Sequence, residues 1–128
     1  MDGTLGDYCA RMTTLYWYSG CSTCKKARKH LASRGVEPSI VELKTDPPSA
    51  ETLADLHARS NLPLKRFFNT AGQSYRGGGF KDRLPSMSQH EQLEALAADG
   101  MLIKRPILDL GETVLVGFKV AEWDEALG

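Results

Sequence analysis

The spacing of apolar and polar positions changes along this chain, and each change marks an element. Thr13-Thr14-Leu15-Tyr16-Trp17-Tyr18 is a run of β-branched and aromatic residues, the composition of a strand. Ser19-Gly20 then turns the chain. From Thr23 the period lengthens, with Cys24, Ala27 and Leu31 on one face and Lys25, Lys26, Arg28 and Lys29 on the other. That is an amphipathic helix, and Gly35 suits the left-handed residue that closes it. Ile40-Val41-Glu42-Leu43 is a second short strand. A strand, a helix and a strand within about thirty residues form a βαβ unit, so the two strands should run parallel.

The middle of the chain has helical spacing only. Pro47-Pro48 breaks the first unit, and Ser49 is placed to cap a helix over Ala50 to Arg59 with Leu53 and Leu56 inward. A short helical piece around Leu64 to Phe68 offers Phe67 and Phe68 to a core. Asn69 to Pro85 reads as a flexible loop around Arg76-Gly77-Gly78-Gly79; the Gly-Lys-Ser/Thr ending of a phosphate loop is missing and no strong strand precedes it. Ser88-Gln89-His90-Glu91 is a capping box opening a helix through Ala98, and Gly100 stops it. Ile107-Leu108-Asp109-Leu110, Gly111-Glu112 and Thr113-Val114-Leu115-Val116 then predict a β-hairpin. Val120 to Leu127 closes the chain as a helix.

The expected order is thus β-α-β, an all-helical block over about 48–100, then β-β-α. The outer parts combine into an α/β, thioredoxin-like (glutaredoxin-type) fold with a four-stranded mixed sheet. Residues 13–128 are expected to form one domain with a helical insertion, after an N-terminal extension over residues 1–12. Cys9, in that extension, reads as a free surface thiol.

Composition narrows the function classes. Sixteen basic and sixteen acidic residues cancel, so no global field recruits nucleic acid or an anionic membrane. No apolar run approaches the roughly 18 residues that would span a bilayer. Met1 to Arg11 lacks the apolar stretch of a secretory signal. A cytoplasmic setting with reduced thiols follows as the expectation, and three cysteines suit a secreted disulfide scaffold poorly.

The strongest chemical signal is Cys21-Ser22-Thr23-Cys24 at the strand-to-helix junction. A helix N-terminus presents unpaired N–H groups and a positive dipole end, and nearby lysines add charge; both favour a thiolate, the nucleophilic form. In a cytosolic protein such a pair reads as a thioredoxin-like redox motif. The competing readings are two inert buried cysteines and a zinc half-site. Structural zinc usually takes four ligands, and the chain offers no second Cys-x-x-Cys or close Cys/His pair, so no metal is expected. Ser22 and Thr23 are candidate donors to the Cys21 thiolate, and Thr23 a candidate helix cap. His30, His57 and His90 lie among polar neighbours on helical stretches and read as solvated. Tyr16, Trp17 and Tyr18 read as core packing.

Several motifs in sequence order resemble the arsenate reductase (ArsC) family, including its Spx-like relatives. They are the strand leading to Cys21-Ser-Thr-Cys24-Lys-Lys-Ala, Asp46-Pro47-Pro48-Ser49, Leu64-Lys65-Arg66-Phe67-Phe68-Asn69, Leu102-Ile103-Lys104-Arg105-Pro106-Ile107, and Val116-Gly117-Phe118. The resemblance covers about Met12 to Leu127. It implies Cys21 as nucleophile, Arg105 as an anion-holding arginine, and Pro106 as the family's cis-proline. Lys65 stands where the family has an arginine in the helical insertion, and the last family arginine falls at Gly117-Phe118 and is absent. A guanidinium grips a tetrahedral oxyanion through a planar fork, whereas an ammonium is a point charge, so weaker arsenate capture is expected.

Cys24 has no counterpart in the family's glutathione-dependent arsenate reductases and implies a resolving partner for Cys21, as in the Spx/MgsR-like branch. Two functions follow from the resemblance. One is a thiol-disulfide oxidoreductase acting on a small oxyanion or on a protein or glutathione disulfide, with no bound cofactor and with glutathione/glutaredoxin or thioredoxin as electron donor. The other is an Spx-like redox-sensing regulator that binds RNA polymerase. The basic C-terminal extension of those regulators is lacking, and Ser60-Asn61-Leu62-Pro63 has no glycine near their polymerase contact.

Overall fold

The structure is a computed structural model that describes residues 13–128; the expectations for residues 1–12, including Cys9, lie outside the described residues. In chain order the elements are β1 (Thr14–Trp17), α1 (Ser22–Ser33), β2 (Ser39–Glu42), α2 (Ala50–Ser60), α3 (Gln73–Gly77), α4 (Phe80–Arg83), α5 (Gln89–Ala98), β3 (Ile107–Asp109), β4 (Val114–Val116) and α6 (Val120–Leu127). Short 3-10 turns occupy Leu64–Phe67, Leu84–Ser86 and Gly100–Leu102. The chain divides into two compact units, one built from its two ends (up to Glu42 and from Arg105 onward), the other from Leu43–Lys104.

The unit built from the chain ends holds a four-stranded mixed sheet in the order β2-β1-β3-β4. β1 and β2 pair in parallel, as the βαβ pattern predicts, and β3 pairs antiparallel with both β1 and β4. Register decides what meets at the sheet's edge. Trp17 lies opposite Glu42, Tyr16 opposite Ile107, and Ile107 opposite Val116. The residues after β1, the end of β2, the residues before β3 and those after β4 therefore gather at one edge. Leu15, Ala27, Leu31, Leu108 and Trp123 form the buried cluster, flanked by Trp17, Ile40, Leu115 and Phe118. Trp123 is wholly buried, and its indole N–H donates to the Gly117 carbonyl at 3.0 Å, so no polar atom is stranded.

Two of the three histidines depart from the solvated reading. His30 is half-buried on α1; its Nε2 lies 2.7 Å from Asp124 of α6, and its ring packs 5.7 Å from Phe118. Arg34, the residue that caps the end of α1, also donates to Asp124, so one carboxylate ties two side chains from the end of α1 to the last helix. His57 presents an edge to Phe67 at 5.8 Å. His90 is exposed. Sequence neighbours mislead here because each partner of His30 lies far along the chain, at residues 118 and 124.

In the Leu43–Lys104 unit the predicted caps are present. Ser49 accepts the Thr52 N–H at 3.1 Å, and the Ser88–Glu91 box is closed in both directions. The segment expected as a flexible loop is instead folded into α3, α4 and a 3-10 turn. Aromatic packing is the cause: Tyr75 stacks on Phe80 at 6.1 Å, Phe68 lies 5.9 Å from Phe80, and all three are buried. Gly78 serves that packing, because a Cβ on it would lie 2.6 Å from the Phe80 ring.

Gly100 is the tightest close approach, since a Cβ there would lie 1.6 Å from the backbone oxygen of Leu43. Gly100→Ala is expected to cost roughly 2 kcal/mol or more through backbone displacement. Gly77→Ala, in open space at the end of α3, should be neutral or stabilising by up to about 1 kcal/mol. Urea unfolding of both variants checks the contrast. A second expectation concerns Asp124, whose carboxyl the His30 hydrogen bond first, and the Arg34 charge as well, hold below its ordinary 3.8. A carboxylate depressed in the folded state stabilises above its unfolded pKa, and that contribution disappears as pH falls through the folded value. The stability gap between the native chain and Asp124→Asn should therefore be present at neutral pH and close in acid.

Candidate active site

The chain leaves β1 at Trp17 and reverses through Ser19-Gly20, and Cys21 then opens α1. Cys21 is itself the N-cap. Its backbone is extended (φ −94°, ψ 117°), and its Sγ accepts the Cys24 N–H at 3.2 Å. The sulfur thus takes the place of a serine or aspartate oxygen, satisfying an amide that the first helical turn leaves without a partner. The sequence pattern points instead to Thr23 as the cap and to Ser22 and Thr23 as donors to the thiolate. Both side chains are exposed in the first turn of α1, and a main-chain amide supplies the hydrogen bond. Capping requires the extended residue just before the helix, and here that residue is Cys21.

The two cysteines have opposite surroundings. Cys21 is partly exposed, whereas Cys24 is wholly buried on the inner face of α1. Burial, then a hydrogen bond with Cys21, push the Cys24 thiol from its ordinary 9.0 up to about 12. The Tyr18 amide and the Arg105 charge pull in the other direction and do not prevail. Cys24 therefore keeps its proton through the neutral range. Both thiols are free in this structure.

Three further groups frame the loop. Arg105 is half-buried, joined to Pro106 by a cis peptide bond, with its guanidinium carbon 5.3 Å from the centre of the Tyr18 ring. Pro106 is buried, and its carbonyl accepts the Gly117 N–H at 2.8 Å. The Ser19 N–H points at the Glu42 carboxylate, 3.2 Å from Oε1 and 3.4 Å from Oε2. Glu42 and Tyr18 border the loop, and the motifs do not point to them. Glu42 is within reach of register counting, since a parallel strand ending opposite Trp17 delivers its last side chain to the following turn. At Gly117-Phe118, where the resemblance expects an arginine that is absent, Phe118 packs edge-on against Trp123 at 4.8 Å. That position is given to the core.

Cys21, Cys24, Arg105 and Pro106 belong to one unit, and Lys65 belongs to the other. Lys65 is exposed on the 3-10 turn Leu64–Phe67, where it borders a cleft of about 310 Å³ together with Lys81, Tyr75, Leu84 and Gln92. Among the described residues no group of three or more His, Cys, Asp or Glu is arranged to hold a metal ion. None of their helices is long and apolar enough to cross a membrane.

Comparison with known proteins finds the ArsC family model over residues 16–126. The protein YusI of Bacillus subtilis is 50% identical over 112 residues, covering 88% of this chain and 95% of that one. An arsenate reductase of Rhizobium meliloti is 30% identical over 95 residues, 74% of this chain and 66% of its own length. The regulatory protein MgsR of Bacillus subtilis is 24% identical over 109 residues, 85% of each. Among solved structures, an ArsC family related protein from Bacteroides fragilis superimposes with a TM-score of 0.88 at 40% identity, covering 93% of this chain and 99% of that one.

The raised Cys24 thiol has a stability consequence. An acid whose pKa is raised in the folded state leaves stability intact below the unfolded pKa. Above it, stability is lost, because only the unfolded chain gives up the proton readily. Between pH 8 and pH 10 the reduced protein should lose about 1 kcal/mol that Cys24→Ala does not lose. Denaturant unfolding of both proteins across that range, with reductant present, measures the difference.

Proposed function

The chain belongs to the ArsC family, and we propose that within it the protein is a two-cysteine thiol-disulfide oxidoreductase with Cys21 as attacker and Cys24 as resolver. The observation that carries this reading is the contrast between the pair. A partly exposed sulfur sits at a helix N-terminus and accepts a main-chain N–H, with a buried thiol that keeps its proton directly behind it. An attacking sulfur needs access, and a resolving one needs to stay protected until it is called upon.

With a disulfide substrate, the Cys21 thiolate attacks one sulfur and forms a mixed disulfide, and the other sulfur leaves as a thiolate that takes up a proton. Cys24 then loses its proton, attacks Cys21 Sγ and releases the second thiolate. The substrate gains two electrons and the pair becomes a Cys21–Cys24 disulfide. Two thiols of a donor, glutathione/glutaredoxin or thioredoxin, restore it. With arsenate the first step is attack on arsenic with loss of hydroxide, and resolution by Cys24 releases arsenite carrying the two electrons. Arg105 is the cation for an anionic substrate at this edge, and Pro106 frames the loop; Lys65, in the other unit, is an anion-binding candidate by the family resemblance alone. Ser22 and Thr23, exposed beside the sulfur, are candidate polar contacts to a bound group. The arsenate reductase of Rhizobium meliloti supports the oxyanion substrate. Residues with point charge or packing where the resemblance expects arginine forks favour the disulfide substrate instead.

A second reading rests on the likeness to the regulatory protein MgsR: the same dithiol as a redox switch on a regulator that contacts RNA polymerase. A pull-down with the carboxy-terminal domain of the α polypeptide of RNA polymerase separates the two readings, and no complex in either redox state removes the second.

Cys21→Ser should abolish turnover with every substrate. Cys24→Ser should still attack but stall, accumulating a mixed disulfide visible by intact mass. Assays with glutathione disulfide and with arsenate, each run with glutathione/glutaredoxin and with thioredoxin, identify the couple. Turnover retained in Cys21→Ser would sink the oxidoreductase reading.

A further inference from the structure

We propose that Tyr18 is a positioning residue that holds the Arg105 guanidinium at the cysteine pair, and that Gly20 is a glycine so that the Tyr18 ring can occupy its place. The inference rests on the reading of Arg105 as the anion-holding cation and extends it to the residues that keep the cation there.

Arginine is a long, flexible side chain, and a half-buried one stays in one arrangement only if something fixed supports it. The Tyr18 ring supplies a face at cation–π distance, 5.3 Å from the guanidinium carbon to the ring centre. Tyr18 is fixed in turn through its backbone. Its carbonyl accepts the Cys21 N–H at 3.0 Å, and its amide donates to the Cys24 sulfur. The ring is fixed from the side by the turn. A Cβ at Gly20 would lie 2.8 Å from ring atoms Cε2 and Cζ and 2.9 Å from the hydroxyl oxygen, inside the closest approach that carbon tolerates. A side chain at residue 20 would therefore push the ring away and take the support of Arg105 with it. The short sequence Tyr18-Ser19-Gly20-Cys21 thus carries the nucleophile and, three residues earlier, the shelf for its cation.

The test compares two alkylating reagents on the reduced protein: iodoacetate, an anion, and iodoacetamide, its neutral counterpart. Both react with the same thiolate and release iodide, so the ratio of their rates at Cys21, followed by peptide mapping, reports local positive charge rather than thiolate population. Arg105→Gln should lower the ratio by roughly threefold or more, and high salt should compress the native ratio in the same direction. Tyr18→Leu should lower it about as much, while Tyr18→Phe, which keeps the ring, should hold it near the native value. Gly20→Ala is the second route, since it displaces the ring without removing it, and it should match Tyr18→Leu. A merely structural role would lower thermal stability in Tyr18→Leu and leave the ratio unchanged. A native ratio in both Tyr18→Leu and Gly20→Ala, beside a lowered one in Arg105→Gln, overturns the inference and leaves the oxidoreductase reading intact. A native ratio in Arg105→Gln as well overturns both the inference and the anion-holding role of Arg105.

Discussion

Much of the first unit depends on β1 being hydrogen-bonded along both edges, parallel to β2 and antiparallel to β3. A strand paired on both sides is held in register, because a slip by one residue would turn Leu15 away from the core and expose it. That register carries Glu42, Arg105-Pro106 and Gly117 to the edge where β1 releases the chain into Cys21. Residues separated by more than eighty positions thereby come to frame one turn. Neither the Glu42 contact with Ser19 nor the Arg105 contact with Tyr18 would exist without those ladders.

The chemistry of the pair comes from one turn of helix. Cys21 lies before the first turn of α1, and Cys24 lies three residues on, which rotates it onto the buried face with Ala27 and Leu31. A spacing of three puts both sulfurs on the same side of the helix end, close enough for a shared hydrogen bond. Their distances from solvent nevertheless differ. Desolvation therefore acts on one thiol far more than on the other. This asymmetry is the ground on which Cys21 is proposed as attacker and Cys24 as resolver.

The Leu43–Lys104 unit shows how local signals and packing divide the work. Ser49, Ser88 and Glu91 start helices through bonds to amides three residues away, so their roles are legible from spacing alone. Gly77-Gly78-Gly79 is not legible in that way. Three glycines carry no periodicity, and the helices on either side are held by the rings of Phe68, Tyr75 and Phe80 packing against one another. Backbone freedom of that kind is used to bring aromatic rings together, which no count of turn residues reveals.

The sequence by itself determined the outer β-α-β and β-β-α order around a helical block, the parallel βαβ pairing, the caps of α2 and α5, the hairpin and the place of the cysteine pair at the strand-to-helix junction. Each of these depends on residues within a few positions of one another, or on a period that a short window exposes. Tertiary structure decided that Cys21 rather than Thr23 caps α1, that Cys24 keeps its proton, and that His30 answers to Asp124. It also decided that Phe118 belongs to the core and that Arg105 rests on Tyr18. Those outcomes depend on burial and on partners distant in sequence, and such distances are set only when the sheet has closed.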